Sequence, residues 1–282
     1  MSKAVYQDAS PPPYTESAQP SHEGVPPYEA PSFGENADGS KTIQSSTKFP
    51  PVLNGYFQWK LTRTFHLGPS AEEKLFAVTT HANLMSSKPL IELYDGPKNE
   101  HPIMATVHAD KWGRTRPATI TLPARHGSPH VGSIEEQLVP GSSKSSMSAS
   151  STWAFKIDAK DKSSSRERFE WRSSHGKEIK DLATGVSHGW KLVWVSGPGS
   201  GVGGSRKKRV AGVSSDGLEI VAIIAHNASF SMTKGFRFAF MGAGLTGTLG
   251  EVWEIATLSS ALMLWYIDAQ QTAAASAVAA SA

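Results

Sequence analysis

Cysteine is absent from all 282 residues. That absence excludes disulfides, thiolate metal sites and cysteine nucleophiles together. A long uncharged apolar run is missing as well. The stretch 255–267 falls short of the roughly 20 apolar residues that a spanning helix needs. The opening MSKAVYQDASPPPY carries no apolar h-region, so no secretory signal is expected. These absences predict a cytoplasmic setting, peripheral at membranes, with the nucleus as the alternative. No nucleophile–base–orienter set is readable along the chain, so an enzyme is not expected and no cofactor is implied.

Charge is present but unevenly spread. Residues 1–48 carry three lysines and six acids, a net −3, which leaves the rest at +6 against a total of +3. A mildly basic body suits an anionic surface without choosing between lipid and nucleic acid. With 39% hydrophobic residues and a mean hydropathy of −0.30, the chain reads as a globular body with polar appendages.

Residues 1–50 are rich in Pro, Ser, Glu and Gly and show no hydrophobic period. Such a segment cannot bury enough apolar surface to offset its ordering entropy, so a disordered arm is predicted. Within it, Pro11, Pro12, Pro13 and Tyr14 spell a P-P-x-Y motif. Paired prolines preset a polyproline II turn for an aromatic groove, and the tyrosine fills a neighbouring pocket, which is how WW domains read their ligands. Pro11, Pro12 and Tyr14 are therefore candidate WW-domain contacts. The alternative is a Pro-rich tail in which the tetrapeptide arose by chance. Val25-Pro26-Pro27-Tyr28 is a weaker copy.

From residue 56 the texture changes. Short runs rich in β-branched and aromatic residues occur at 56–66, 74–81, 89–94, 103–108 and 118–122, separated by turns such as Asp95-Gly96-Pro97. A polar, serine-rich stretch at about 124–151 reads as a mobile loop. Strands resume at 153–157 and 167–172, then turn at Ser174-His175-Gly176 into 177–181. GWKLVWV at 189–195 alternates cleanly. A glycine-rich loop at about 197–206 follows, then 209–213 and 218–225 joined by Ser215-Asp216-Gly217, and finally 236–240.

The segment 249–267, LGEVWEIATLSSALMLWYI, is the only long helix in this pattern. Thr248-x-x-Glu251 opens it in capping-box spelling. Beyond Glu254 no charge appears until Asp268, and apolar residues point to nearly every side. A helix apolar all round must be buried. About a dozen strands favour a closed barrel, whose lumen side chains alone do not fill. The expected fold is mainly β, a closed, roughly twelve-stranded barrel at 51–270 wrapped around one central helix at 249–268. Residues 271–282 read as a disordered Ala/Ser tail.

The succession LYDGP (93–97), FEWRSSHGKEIKDL (169–182), GWKLVWV (189–195), SDGLEIVAI (215–223) and SMTKGFRFAFMGAGLTGTLGE (231–251), followed by the apolar helix, resembles the tubby C-terminal-like superfamily. That group takes in tubby-like proteins, LURP-one-related proteins and phospholipid scramblases. The resemblance covers about 52–270 and implies a twelve-stranded barrel around a central helix, with phosphoinositide binding among the family's activities. The P-P-x-Y arm is similar to that of scramblases. The cysteine cluster that scramblases palmitoylate is missing, and no acidic calcium-loop pattern occurs.

Arg206, Lys207, Lys208 and Arg209 form the densest cationic run. Three readings stand: contacts to anionic lipid head groups at about 1 kcal/mol per basic residue, a nuclear import signal, or a strand edge kept charged against aggregation. No nucleic-acid partner is expected, because one short run without interleaved aromatics is a thin footprint.

Other spellings carry less. Gly242-x-Gly244-x-x-Gly247 matches a dinucleotide fingerprint, but no second strand follows to complete the unit, so the glycines read as a tight turn. Gly199-x-Gly201-x-x-Gly204 has no helix behind it. Ser231-x-x-Lys234 precedes a strand rather than starting a helix, Asn227-Ala228-Ser229 is a glycosylation sequon by spelling only, and the histidines are scattered. His126 and His130 lack carboxylate or cysteine support, so no metal site is expected.

The sequence reading is thus a non-enzymatic adaptor. Its barrel binds anionic phospholipid through Arg206–Arg209, and its arm recruits a WW-domain partner such as a ubiquitin ligase. A membrane-anchored scramblase-like protein is the alternative, and an enzyme with an unrecognised site a second.

Overall fold

A computed structural model describes residues 48–57, 63–81, 88–109, 116–124, 132–141, 152–158, 166–183, 188–198, 212–226 and 234–280. The chain divides into two units, Met1–Ile43 and Gln44–Ala282, and every described residue belongs to the second. The candidate WW-domain contacts Pro11, Pro12 and Tyr14 and the basic residues Arg206, Lys207, Lys208 and Arg209 lie outside the described residues.

Alternating sequence builds the wall. In Thr152–Asp158, Trp153, Phe155 and Ile157 are buried while Lys156 and Asp158 are exposed, the period of a strand with one face on a core. Twelve strands make up the wall: β1 (Val52–Tyr56), β2 (Thr64–Gly68), β3 (Phe76–Thr80), β4 (Ile91–Tyr94), β5 (Ile103–Ala109), β6 (Ala118–Leu122), β7 (Ile134–Pro140), β8 (Thr152–Asp158), β9 (Arg166–Ser174), β10 (Gly189–Trp194), β11 (Ile220–His226) and β12 (Lys234–Phe240). In β2, β3 and β11 nearly every residue is buried, so the alternation is lost there. Each pairs antiparallel with its neighbour in the chain, and β1 closes on β12 with Leu53 opposite Phe238. The result is a closed twelve-stranded barrel.

Two α-helices among the described residues complete it. α1 (Lys177–Leu182) lies between β9 and β10, and its Ile179 packs with Val193, Ile223 and Ala239 in a small apolar cluster of its own. α2 (Glu251–Ala280) is the central rod. Every residue from Trp253 to Trp265 is buried, and the helix packs against β4, β5, β6, β8, β10 and β11. Burying a large apolar side chain contributes about 1.5–3 kcal/mol, so an all-round apolar helix is stable only where wall surrounds it. Two tryptophans seat it. Trp253 meets Phe169 and Phe240 at 5.6 and 5.7 Å between ring centroids, and Trp265 meets Phe236, Phe57 and Phe65 at 5.0–5.4 Å.

The turn from wall to rod explains the glycines. Gly242 and Gly247 hold φ of +47° and +67°, which side chains disfavour, and a Cβ on Gly244 would collide with the Val221 carbonyl. Ala243 N–H donates to Glu219 Oε1 at 2.7 Å, fixing the turn to β11.

Four sequence expectations need correction. The stretch 124–151 is not wholly loop, because it contains β7. The inward set of β7 is Ile134, Glu136 and Leu138, so an acid at its centre conceals the apolar period. The run 56–66 is two strands' ends, since β1 stops at Tyr56 and β2 starts at Thr64. Thr248 does not cap α2. Its hydroxyl bonds Thr246 Oγ1 at 2.8 Å, and Glu254 N–H donates to the Gly250 carbonyl, placing the helix start after Gly250. Finally, α2 does not stop at 268 but continues to Ala280. Residues 271–275 are exposed, so their helicity comes from alanine's high propensity and not from packing.

Candidate functional site

With α2 filling the lumen, recognition chemistry is left to the wall's outer face, its seams and its two ends. The weakest seam is between β7 and β8. Only Val139↔Ala154 and Pro140↔Trp153 pair there, whereas β8 and β9 pair along seven positions from Thr152↔Arg172 to Asp158↔Arg166. Beyond Ala154 the two strands part around a cleft of about 530 Å³, lined among others by Glu135, Glu136, Lys156, Arg166, Arg168 and Glu170.

Arg166 bridges this seam. Its Nη2 donates to Glu136 Oε1 and, at 3.0 Å, to the Lys156 carbonyl. Burial pushes the Glu136 carboxyl above its ordinary range, and the Arg166 charge works against that rise. Arg166 is the partner that lets an acid sit on the inward phase of β7.

The outer phase of β9 carries more basic side chains. Arg166, Arg168 and Arg172 all leave the core side that Phe169 and Trp171 occupy. Arg166 and Arg168 are half exposed, with side-chain exposures of 49% and 51%. Both feet of the β10–β11 connection are fastened to this strand. Arg168 N–H donates to Ser196 Oγ at 2.8 Å, and Val195 N–H donates to the Arg168 carbonyl at 2.9 Å. Arg172 Nη1 reaches both oxygens of Asp216 at 2.8 Å while its Nε donates to Glu170 at 2.8 Å. Burial acts against the Arg172 charge, but the Asp216 and Glu170 carboxylates outweigh it and raise the guanidinium's pKa.

The connection whose feet are described is the one that carries Arg206–Arg209 in its undescribed part. The structure therefore brings Arg168 together with the first foot of that loop, and Arg166 lies two residues along the same strand toward the end where the seam opens. Sequence reasoning passed over these two arginines because they are diluted by Glu167 and Glu170. The signal that finds them is their period of two on the polar phase of β9. Guanidinium forks suit phosphate and carboxylate oxygens, while Glu135 and Glu170 restrict which anion fits.

At the opposite end of the barrel a second group assembles. His188 precedes β10, His226 ends β11, and Asp268 lies on α2. Trp190 Nε1–H donates to Asp268 Oδ2 at 2.8 Å. His226 Nε2 and His188 Nε2 stand 3.3 and 3.7 Å from the same oxygen. Burial alone raises a carboxyl's pKa. Here the nearby His188 and His226 imidazoles and the Trp190 hydrogen bond prevail and hold Asp268 well below the usual carboxylate range. Two of the ten scattered histidines, His188 and His226, thus meet at one carboxylate although they stand 38 positions apart in the sequence.

Comparison of the chain with family models, with curated proteins and with solved structures returns no match.

Proposed function

We propose that this chain is a non-enzymatic binding protein, a tubby-like barrel that docks on anionic phospholipid surfaces and recruits WW-domain partners through its P-P-x-Y arm. One observation carries the reading. The lumen is filled by the chain's own helix, and half-exposed Arg168 stands at the first foot of the loop bearing Arg206, Lys207, Lys208 and Arg209, with half-exposed Arg166 two residues along the same strand. Cations grouped on one end of a barrel attract an anionic leaflet at about 1 kcal/mol per residue near the surface. Such attraction is salt-sensitive, because exposed charges are screened within about 8 Å at physiological ionic strength.

The competing reading, a membrane-anchored scramblase-like protein, needs α2 in lipid. The burial of 253–265 inside the wall weighs against it, and among the described residues no helix is long and apolar enough to cross a membrane.

Co-sedimentation of the full chain with phosphatidylserine or phosphoinositide vesicles, at low and moderate salt, tests the lipid half. Binding is expected to be salt-sensitive and to fall at least tenfold in R206A/K207A/K208A/R209A. Equal binding by the variant would show that the basic run is not the lipid contact. Titration of a peptide spanning residues 5–20 against a WW domain tests the arm, and Tyr14→Ala is expected to abolish the signal.

A further inference from the structure

His188, His226 and Asp268 come from three elements, and each is held in place by something other than the group itself. Strand pairing sets the histidines side by side: Gly189 lies opposite Ala225, and His226 N–H donates to the His188 carbonyl at 3.0 Å. Their rings face each other with centroids 4.3 Å apart. Asp268 is delivered by the depth of α2 in the lumen, and Trp190 orients its carboxylate at 2.8 Å.

We propose that His188, His226 and Asp268 bind one divalent transition-metal ion, zinc being the best match, which clasps the C-terminal half of α2 to β10 and β11. The spacing fits such an ion. Zinc bonds of about 2.0–2.1 Å in a tetrahedron place neighbouring ligand atoms about 3.3–3.4 Å apart. The observed separations from Asp268 Oδ2 are 3.3 and 3.7 Å, and all three ligand atoms lie within 4.8 Å of one another. The longer separation exceeds a hydrogen bond, so ion binding requires the half-exposed His188 ring to move closer to Asp268.

The donor chemistry agrees. Two imidazoles and one carboxylate suit zinc and its first-row neighbours, while calcium and magnesium favour all-oxygen cages. Trp190 supplies the outer hydrogen bond that metal-bound carboxylates normally accept. Access is graded: Asp268 and His226 keep 6% and 12% of their side-chain surface, whereas His188 keeps 44%. An ion therefore has an entry path and an open fourth position on the solvent side. His175, whose ring stands 6.1 Å from that of His188, is a further imidazole close by. The chain has no cysteine to compete for the metal.

The test uses the untagged full chain, stripped with chelator and titrated with Zn²⁺ in competition with a chromophoric indicator. One equivalent is expected to bind tightly, and the His188→Ala/His226→Ala pair to lose at least 100-fold in affinity. Trp190→Phe, which keeps all three ligands, is expected to lose ten- to hundredfold. His126→Ala/His130→Ala serves as the control for histidine removal elsewhere in the chain and is expected to bind as the parent does. Co²⁺ loading of the parent chain needs no variant and reads coordination directly, through intense visible bands of a four- or five-coordinate ion. Absence of stoichiometric Zn²⁺ binding, weak octahedral Co²⁺ bands, or unchanged affinity in the His188/His226 double variant would overturn the proposal.

Discussion

The indole of Trp171 on β9 donates to Ser260 Oγ in the buried part of α2 at 2.9 Å, and the same hydroxyl donates to the Thr257 carbonyl at 2.9 Å. A polar bond at the centre of an apolar lumen fixes both the depth and the rotation of the rod. Dispersion and burial reward any well-filled arrangement, whereas a hydrogen bond rewards only one.

Ser260→Ala leaves the Trp171 N–H unpaired in the core. An unsatisfied buried donor costs about 1–3 kcal/mol. Denaturant unfolding is expected to show a lower midpoint with an unchanged slope. Trp171→Phe in the same background is expected to recover part of the loss, because it removes the stranded donor.

Leu262→Asp places a charge at a fully buried position of α2. An unpaired carboxylate there is far more costly than the whole stability of a domain of this kind allows. Circular dichroism and a thermal melt are expected to show no cooperative transition. A folded, soluble variant would mean that the rod does not lie in the lumen.

Arg166→Ala removes the partner of the buried Glu136. Because Arg166 is half exposed, the loss is set near 1–3 kcal/mol and not at the larger cost of a fully buried pair. Adding Glu136→Leu restores the apolar period of β7 and is expected to return stability to the parent level or above it. A double-mutant cycle in urea measures the coupling.

Glu254 on α2 accepts the Lys48 backbone N–H at 2.7 Å, while its other oxygen has no partner among the described residues. Burial, followed by the nearby charge of Glu251, raises its pKa, and the backbone N–H groups of Lys48 and Phe49 only partly offset this. The folded state therefore holds this proton more tightly than the unfolded chain. Its contribution to stability is complete below the unfolded carboxyl's range and is lost as pH rises through the folded pKa. Glu254→Gln keeps an acceptor for Lys48 without the charge. The variant is expected to gain stability over the parent at pH 7 and to lose that advantage near pH 4, read as paired thermal melts.

The barrel was legible because its causes are local. Trp153, Phe155 and Ile157 on one phase of β8 announce a strand, and the uncharged run from Ile255 to Ile267 announces an enclosed helix. β7 escaped because Glu136 breaks that code, and its partner Arg166 lies thirty residues away. Thr248 spelled a cap that was not used, since Gly250 with φ +86° starts the helix instead. At the Ala-rich end of α2 composition suggests a tail, whereas alanine's propensity sustains a helix to Ala280.

By itself the sequence determined the class of fold: which residues alternate, which helix has no polar face, and that no thiol chemistry is present. Periodicity is a property of neighbours along the chain, so it needs no tertiary information. Only the tertiary structure decided what stands beside what. Strand register set Arg166 near Glu136 and fastened both feet of the β10–β11 connection to β9, and the placement of α2 in the lumen carried Asp268 to His188 and His226. Those meetings depend on strand register and on the depth of the rod, which are settled by packing between segments far apart in the chain.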